Sequence, residues 1–251
     1  MRALDMDHDA FVESLVGDLA IITTIADGDL TQLVPACPGW DLARLIGHLG
    51  RVHRMALAVV TTGALAPAPA SSLEAPPDDH DALRAYYQTS ADALVTALRE
   101  TSPDAPAWTF LGGPDVVAFW SRRQAQEHSI HRWDAEGAIG GGSPIAPELA
   151  VDGIDEYFLM GNRHLAKRPD FTLGGTVHLH CIDIEGEWML DITGGTVTIT
   201  KEHGKGAAAI RGTASDLVLG LWGRIPLTDA DRFAHFGDPA PIAALASLGG
   251  T

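Results

Sequence analysis

Apolar residues recur at intervals of three and four over residues 9–26, DAFVESLVGDLAIITTIA, and the pattern stops before Gly28. That spacing lines one face of an α-helix. After an irregular approach segment, GDLTQLVPACPGW, a second stripe begins, in which Leu42, Leu45, Ile46, Leu49, Val52 and Ala56 share a face. Asp41 stands at its start, where a carboxylate caps the first-turn amides. The Pro-, Ala- and Ser-rich run 66–79 predicts a loop and residues 80–100 a third helix. A fourth helix over 114–138 is ended by the glycines of GAIGGGSP, and a fifth follows over 146–167. The period then changes. GGTVHLHCIDIEGEWMLDITGGTVTITKE alternates at period two around glycine turns, which predicts strands and hairpins; AAAIRG is a further strand and TASDLVLGLWG a short helix with a Thr or Ser N-cap. The pattern as a whole predicts a helical domain over 1–168 and a small α+β domain over 169–251.

The fourth helix carries the chemistry. Glu127 and His131 lie one turn apart and project the same way. They share a face with Val116, Phe119, Trp120, Arg123, Ile130 and Asp134, so ionisable groups occupy a stripe that ought to be buried. A buried carboxylate needs a cation, and two are on offer, a metal ion or Arg123. A third metal ligand has to come from another helix. The second helix supplies His48 and His53; periodicity favours His53, near the middle of the stripe, but the pattern alone does not choose. Asp134 is placed either to orient a histidine ligand or to pair with Arg132 or another basic residue.

Composition narrows the functional classes. The 251 residues are 46% hydrophobic, enough for substantial cores. With 17 basic and 33 acidic residues the formal charge is -16, and no basic patch is visible, which argues against nucleic-acid partners and against an anionic membrane surface. The start MRALDMDHDA has no signal-peptide character and no apolar run is long enough to span a bilayer, so a cytoplasmic location is expected. The two cysteines, Cys37 and Cys181, match neither a disulfide framework nor a metal knuckle, and a reducing compartment fits them. Cys37 has no basic neighbour in sequence to activate it, so a nucleophilic role is not expected. His178, His180 and His203 cluster near the predicted strands; they suggest a second metal site, although simple exposure on a strand face is the plainer expectation.

The strings VPACPGWDLARLIGHLGRVHR and, about eighty residues later, FWSRRQAQEHSIHRWDAE resemble the mycothiol-dependent maleylpyruvate isomerase family. The resemblance implies an N-terminal DinB-like four-helix bundle followed by a small α+β domain related to sterol-carrier folds, and GTASDLVLGLWGRIP resembles the characteristic helix and Gly-Arg turn of that second domain. It implies a metal site built from His48, Glu127 and His131, and so selects His48 over His53. Two imidazoles and a carboxylate with an open position suit a catalytic zinc ion, or another divalent metal. The implied cosubstrate is mycothiol, held as a thiolate that adds to a small electrophile; in the isomerase, addition to the cis double bond of maleylpyruvate, rotation and elimination give the trans isomer. Arg224, at the Gly-Arg turn, is the candidate cation for the substrate's carboxylates or developing enolate, set against an alternative role in capping the preceding helix. The implied activity is therefore isomerase or thiol S-transferase. Two other readings stand beside it: a hydrolase or lyase that uses zinc-bound water on the same ligands, and a non-enzymatic protein that binds an apolar ligand in its C-terminal domain while the bundle's metal is structural or vestigial.

Overall fold

The computed structural model describes residues 6–111, 114–165 and 168–249. The chain divides into two compact units, Met6–Ser143 and Pro144–Thr251. The first is a bundle of four helices: α1 (His8–Ala26), α2 (Leu42–Thr62), α3 (His80–Glu100) and α4 (Val117–Ala138). Helix α1 packs on α4 and α2 on α3, with smaller contacts from α1 to α3 and from α2 to α4 closing the ring. Three of the four begin at an aspartate whose side chain accepts a first-turn amide: Asp7 from Ala10 N, Asp41 from Arg44 N and Asp79 from Ala82 N. The core is supplied by the predicted stripes, among them Leu15, Leu19 and Ile22 of α1, Leu45, Ile46 and Leu49 of α2, and Leu94 and Leu98 of α3.

The fourth helix departs from the sequence expectation of one buried face. On α4 the side chains of Trp120, Arg123, His131 and Asp134 are buried, but so are Ser121, Gln124, Gln126, His128 and Arg132 on other sides. It is the most enclosed helix of the bundle unit, and several of its polar residues meet partners on its neighbours: Arg132 meets Asp18 of α1, and Glu127 and His128 meet His48 and His53 of α2.

In the second unit, α5 (Pro147–Leu165) precedes β1 (Val177–Cys181), β2 (Glu187–Thr193), β3 (Thr196–Thr200), β4 (Ala208–Gly212), α6 (Ala214–Leu221), β5 (Ala234–Gly237) and α7 (Pro239–Ala246). The sheet order is β3-β2-β1-β4-β5, with β1 and β4 parallel and the other pairs antiparallel. Thr213 caps α6, as the sequence anticipates. One boundary moves. The expected division at 168/169 adjoins residues 166–167, which lie outside the described residues, and the structural division falls after Ser143 instead. The reason is packing: α5 lies against α6 and β3, and Asp155 of α5 accepts from the Trp188 indole of β2 at 2.8 Å, so this helix belongs to the α+β unit. The elements β5 and α7 were not anticipated from sequence.

Candidate metal centre

The site begins in the approach loop between α1 and α2. Trp40 N donates to Cys37 O at 2.9 Å across Pro38 and Gly39, and Gly39 has φ 80°. Proline second and a positive-φ glycine third define a type II turn, a conformation in which a side chain at Gly39 would be strained. Two further bonds, Val34 N to Trp40 O and Leu42 N to Gln32 O, both 2.9 Å, close the loop and feed it into α2. The turn thereby delivers Cys37 and Trp40 to the exposed end of the α2–α4 contact.

His48, one and a half turns into α2, points at Glu127 of α4, with Nε2 2.9 Å from Oε1. His131 Nε2 is 3.5 Å from the same oxygen. One ligand atom from each of His48, Glu127 and His131 can be chosen so that all lie within 4.8 Å of one another. The second carboxylate oxygen, Oε2, is ion-paired with Arg123 one turn earlier on α4. The alternatives left open by the sequence, metal or Arg123, are thus both accommodated: one oxygen is anchored by the guanidinium and the other faces the two imidazoles. Burial by itself would raise the Glu127 pKa, but Arg123 and the hydrogen bonds from His131 and His48 win and hold the carboxyl well below its ordinary range.

His131 is fixed from behind. Its Nδ1 lies 2.8 Å from Oδ2 of the fully buried Asp134. A carboxylate accepting from Nδ1–H leaves Nε2 to face the site, the arrangement that orients metal-binding histidines. Burial disfavours the imidazolium, but the Asp134 bond and the Glu127 charge outweigh it and push the pKa up to about 9. Arg132 binds Asp18 of α1 at 2.8 Å and Glu136 at 2.8 Å. Trp40 stacks on the His131 ring (centroids 6.2 Å, planes 12° apart) and meets His48 edge-on at 5.2 Å, while the Arg44 guanidinium lies 5.0 Å over the Trp40 ring. An open pocket of about 430 Å³ adjoins His48, lined by Trp40, Arg44, Gly47 and Arg51.

The donor set fits a divalent metal of the zinc class. Two nitrogens and one oxygen converge from two rigid helices, one histidine has its supporting acceptor, and the site is reached from a pocket. His53 is brought elsewhere, onto His128, and takes no part. Cys37 is nearer the site than its sequence context suggested: its Sγ donates at 3.4 Å to Asp134 Oδ2, the same oxygen that holds His131, and ligand atoms of Cys37, His131 and Asp134 lie within 4.8 Å of one another. No local sequence signal places it there, because the contact is made by a residue 97 positions away. Arg224 lies in the other unit, just after α6, and its Nη1 donates to Trp222 O at 2.9 Å, the capping contact weighed as its alternative role.

Comparison with known proteins gives a family. Residues 19–136 match the model described as the Mycothiol maleylpyruvate isomerase N-terminal domain, and residues 148–244 match the MDMPI C-terminal domain. No curated protein sequence matches. Two solved structures share the fold: a crystal structure of the mycothiol-dependent maleylpyruvate isomerase, at 17% identity, and one of a histidine-to-alanine mutant of that isomerase, at 16%. Each has a TM-score of 0.63 over 94% of this chain and 95% of the other. With both domain models matched in order, and with the bundle and the α+β unit each where those models fall, the chain belongs to the mycothiol-dependent maleylpyruvate isomerase family.

Proposed function

We propose that this chain is a mycothiol-using enzyme in which His48, Glu127 and His131 hold zinc or another divalent ion, and in which a thiolate adds to a small electrophile, as an isomerase of the maleylpyruvate type or as a thiol S-transferase. The observation that carries the reading is the convergence of His48 and His131 on one oxygen of Glu127 while Arg123 holds the other. A bound ion of this class supplies a Lewis-acidic position at which a thiol is favoured in its thiolate form.

The chain's own residues do the rest. Asp134 holds the His131 Nδ1–H, so Nε2 is the nitrogen turned to the site and the one that would give up its proton to a bound ion. Trp40 covers both histidine rings and limits access of water to that side. Arg44 and Arg51, on the wall of the adjoining pocket, give the approach a positive character in a chain of net charge -16, which suits an anionic electrophile. Arg224 is the candidate for holding the electrophile's carboxylates by a two-pronged contact, a role that requires it to leave the Trp222 carbonyl.

The test is metal analysis of the purified protein beside His48→Ala and Glu127→Ala, with calorimetric titration of mycothiol onto each. Near-stoichiometric metal in the parent, lost in both variants, with thiol binding that requires the metal, is the expected result. Metal without thiol binding would transfer the reading to a hydrolase or lyase. Absence of metal even after zinc is added back would defeat both enzyme readings in favour of an apolar-ligand binder.

A further inference from the structure

A second group of imidazoles around one carboxylate lies in the α+β unit. His178 and His180 are two apart on β1 and so project from the same face of the sheet. The antiparallel register sets Glu187 of β2 directly opposite His180 and diagonal to His178. Beyond the end of β3 the chain turns so that His203 reaches the same point. Glu187 Oε1 lies 2.8 Å from His180 Nδ1, while its Oε2 lies 3.2 Å from His178 Nε2 and 2.8 Å from His203 Nδ1. One ligand atom from each of the four residues can be chosen so that all lie within 4.8 Å of one another.

A single carboxylate is neutralised by a single cation, and three imidazoles exceed that need. Their number and type match a metal. Tetrahedral zinc, with ligands at about 2.0–2.1 Å, has ligand–ligand edges of about 3.3–3.4 Å; the Glu187–imidazole separations of 2.8–3.2 Å, shared between its two oxygens, and the 4.8 Å limit on the four ligand atoms bracket that edge. A set dominated by nitrogen disfavours magnesium and calcium, which take oxygen ligands. Buried His178 forms the floor, while the His203 side chain is 83% exposed, so an ion can enter without opening the sheet.

We propose that His178, His180, Glu187 and His203 form a second site, for a divalent transition-metal ion of the zinc class, separate from the site in the helical bundle. Four protein ligands close its coordination, which assigns it a structural role: it ties the segment after β3 to the face of β1 and β2. It neighbours an open pocket of about 530 Å³ that includes Cys181, Trp188 and Lys201, so the ion also stiffens one wall of that pocket.

The test uses the full chain, stripped with chelator, titrated with zinc or cobalt(II) and passed through gel filtration. The double variant His48→Ala/His131→Ala removes the bundle site, and it is expected to retain one ion. Adding His180→Ala, Glu187→Gln or His203→Ala should weaken that ion at least tenfold, since even outer partners of a metal ligand are worth about 10–100-fold. These three residues are not fully buried, and circular dichroism on the metal-free variants checks that they fold. Should the bundle variant fail to fold, the same three changes in the parent should remove one ion and leave the other. The proposal is overturned if the folded bundle variant retains no ion, or if its affinity, or the parent's stoichiometry, is indifferent to all three changes.

Discussion

Beside the candidate metal centre, His53 and His128 face each other with Nε2 atoms 2.7 Å apart, both fully buried. Their tautomers follow from their partners. His128 Nδ1 lies 2.7 Å from the Gln124 carbonyl, which can only accept, so Nδ1 carries the proton and Nε2 is a lone pair. His53 must then donate from Nε2, which leaves its Nδ1 as an acceptor 3.0 Å from the Ser90 hydroxyl; that hydroxyl also reaches Tyr87 O at 2.9 Å and Tyr86 O at 3.0 Å, and its single proton serves one of the three. The bonds between the rings run in one direction, from His53 through His128 to Gln124. Replacing His128 alone by Leu leaves the His53 donor unpaired and should cost about 1–3 kcal/mol beyond packing, whereas His53→Leu/His128→Leu should cost less than the sum of the single changes. Urea unfolding of the four proteins measures that coupling; additive losses would contradict the paired assignment. Burial lowers both imidazole pKa values, that of His128 to about 4, so as the pH falls from 6.5 towards 4 the unfolded chain binds protons that the folded one refuses, and stability is lost. Asp18 works the other way: burial, only partly offset by Arg132, raises it to about 6, so stability is regained as the pH falls from 6 towards 3.8. The His128 and Asp18 effects are each roughly 3 kcal/mol at full extent, so they nearly cancel and His53 tips the balance to a net loss. Between pH 6.5 and 4.5 the unfolding midpoint should fall, and fall more steeply in Asp18→Asn; parallel profiles would refute the assignment. Little of this pair was legible in sequence, because positions 48 and 53 lie on different sectors of one helix and only the neighbouring helices decide which sector faces which partner.

Helices were the most legible elements, since α1 to α5 follow directly from period and composition, and Asp41 reads in advance as the cap of α2. Allegiance was not: α5 has the amphipathic stripe of any bundle helix, and nothing local says that its apolar face meets α6 and β3 rather than α4. The short β5 and α7 escaped notice because four strand residues and an Ala-Pro-rich turn of helix carry too few periods to register. Close helix approach is likewise invisible in one sequence. At Gly50 of α2 a Cβ would stand 2.5 Å from Tyr86 Cε1 and 3.5 Å from the Tyr87 backbone. The Tyr86 ring cannot easily retreat, being covered by the Arg54 guanidinium at 3.4 Å and tethered through its hydroxyl to Glu74 O at 2.9 Å. Gly50→Ala gains about 1 kcal/mol of helix propensity but forces the α2–α3 contact apart, and the net effect should be a loss of about 1–3 kcal/mol. A thermal melt that rises in this variant would show that the contact yields more readily than its geometry implies.

Across the whole molecule, among the described residues no helix is long and apolar enough to cross a membrane. The family of the chain was legible in two short strings, His48 among them, because a loop-to-helix junction and a ligand-bearing helix constrain residue types more tightly than the apolar faces between them. The ion pair of Arg123 with Glu127 has a consequence for the order of events in the protein's life. A pocket made only of a buried carboxylate and two imidazoles would hold an uncompensated charge until its ion arrived, and folding would wait on metal supply. Here the guanidinium supplies that compensation from within the same helix, beside the proton that Asp134 and Glu127 favour on His131. Chelator-stripped protein should therefore keep its helical circular dichroism and unfold cooperatively, whereas Arg123→Met should lose about 3–5 kcal/mol when stripped and recover much of it on adding zinc. On the proposed metal reading, a chain built this way can be synthesised and folded during metal scarcity, held in reserve, and charged when the ion becomes available.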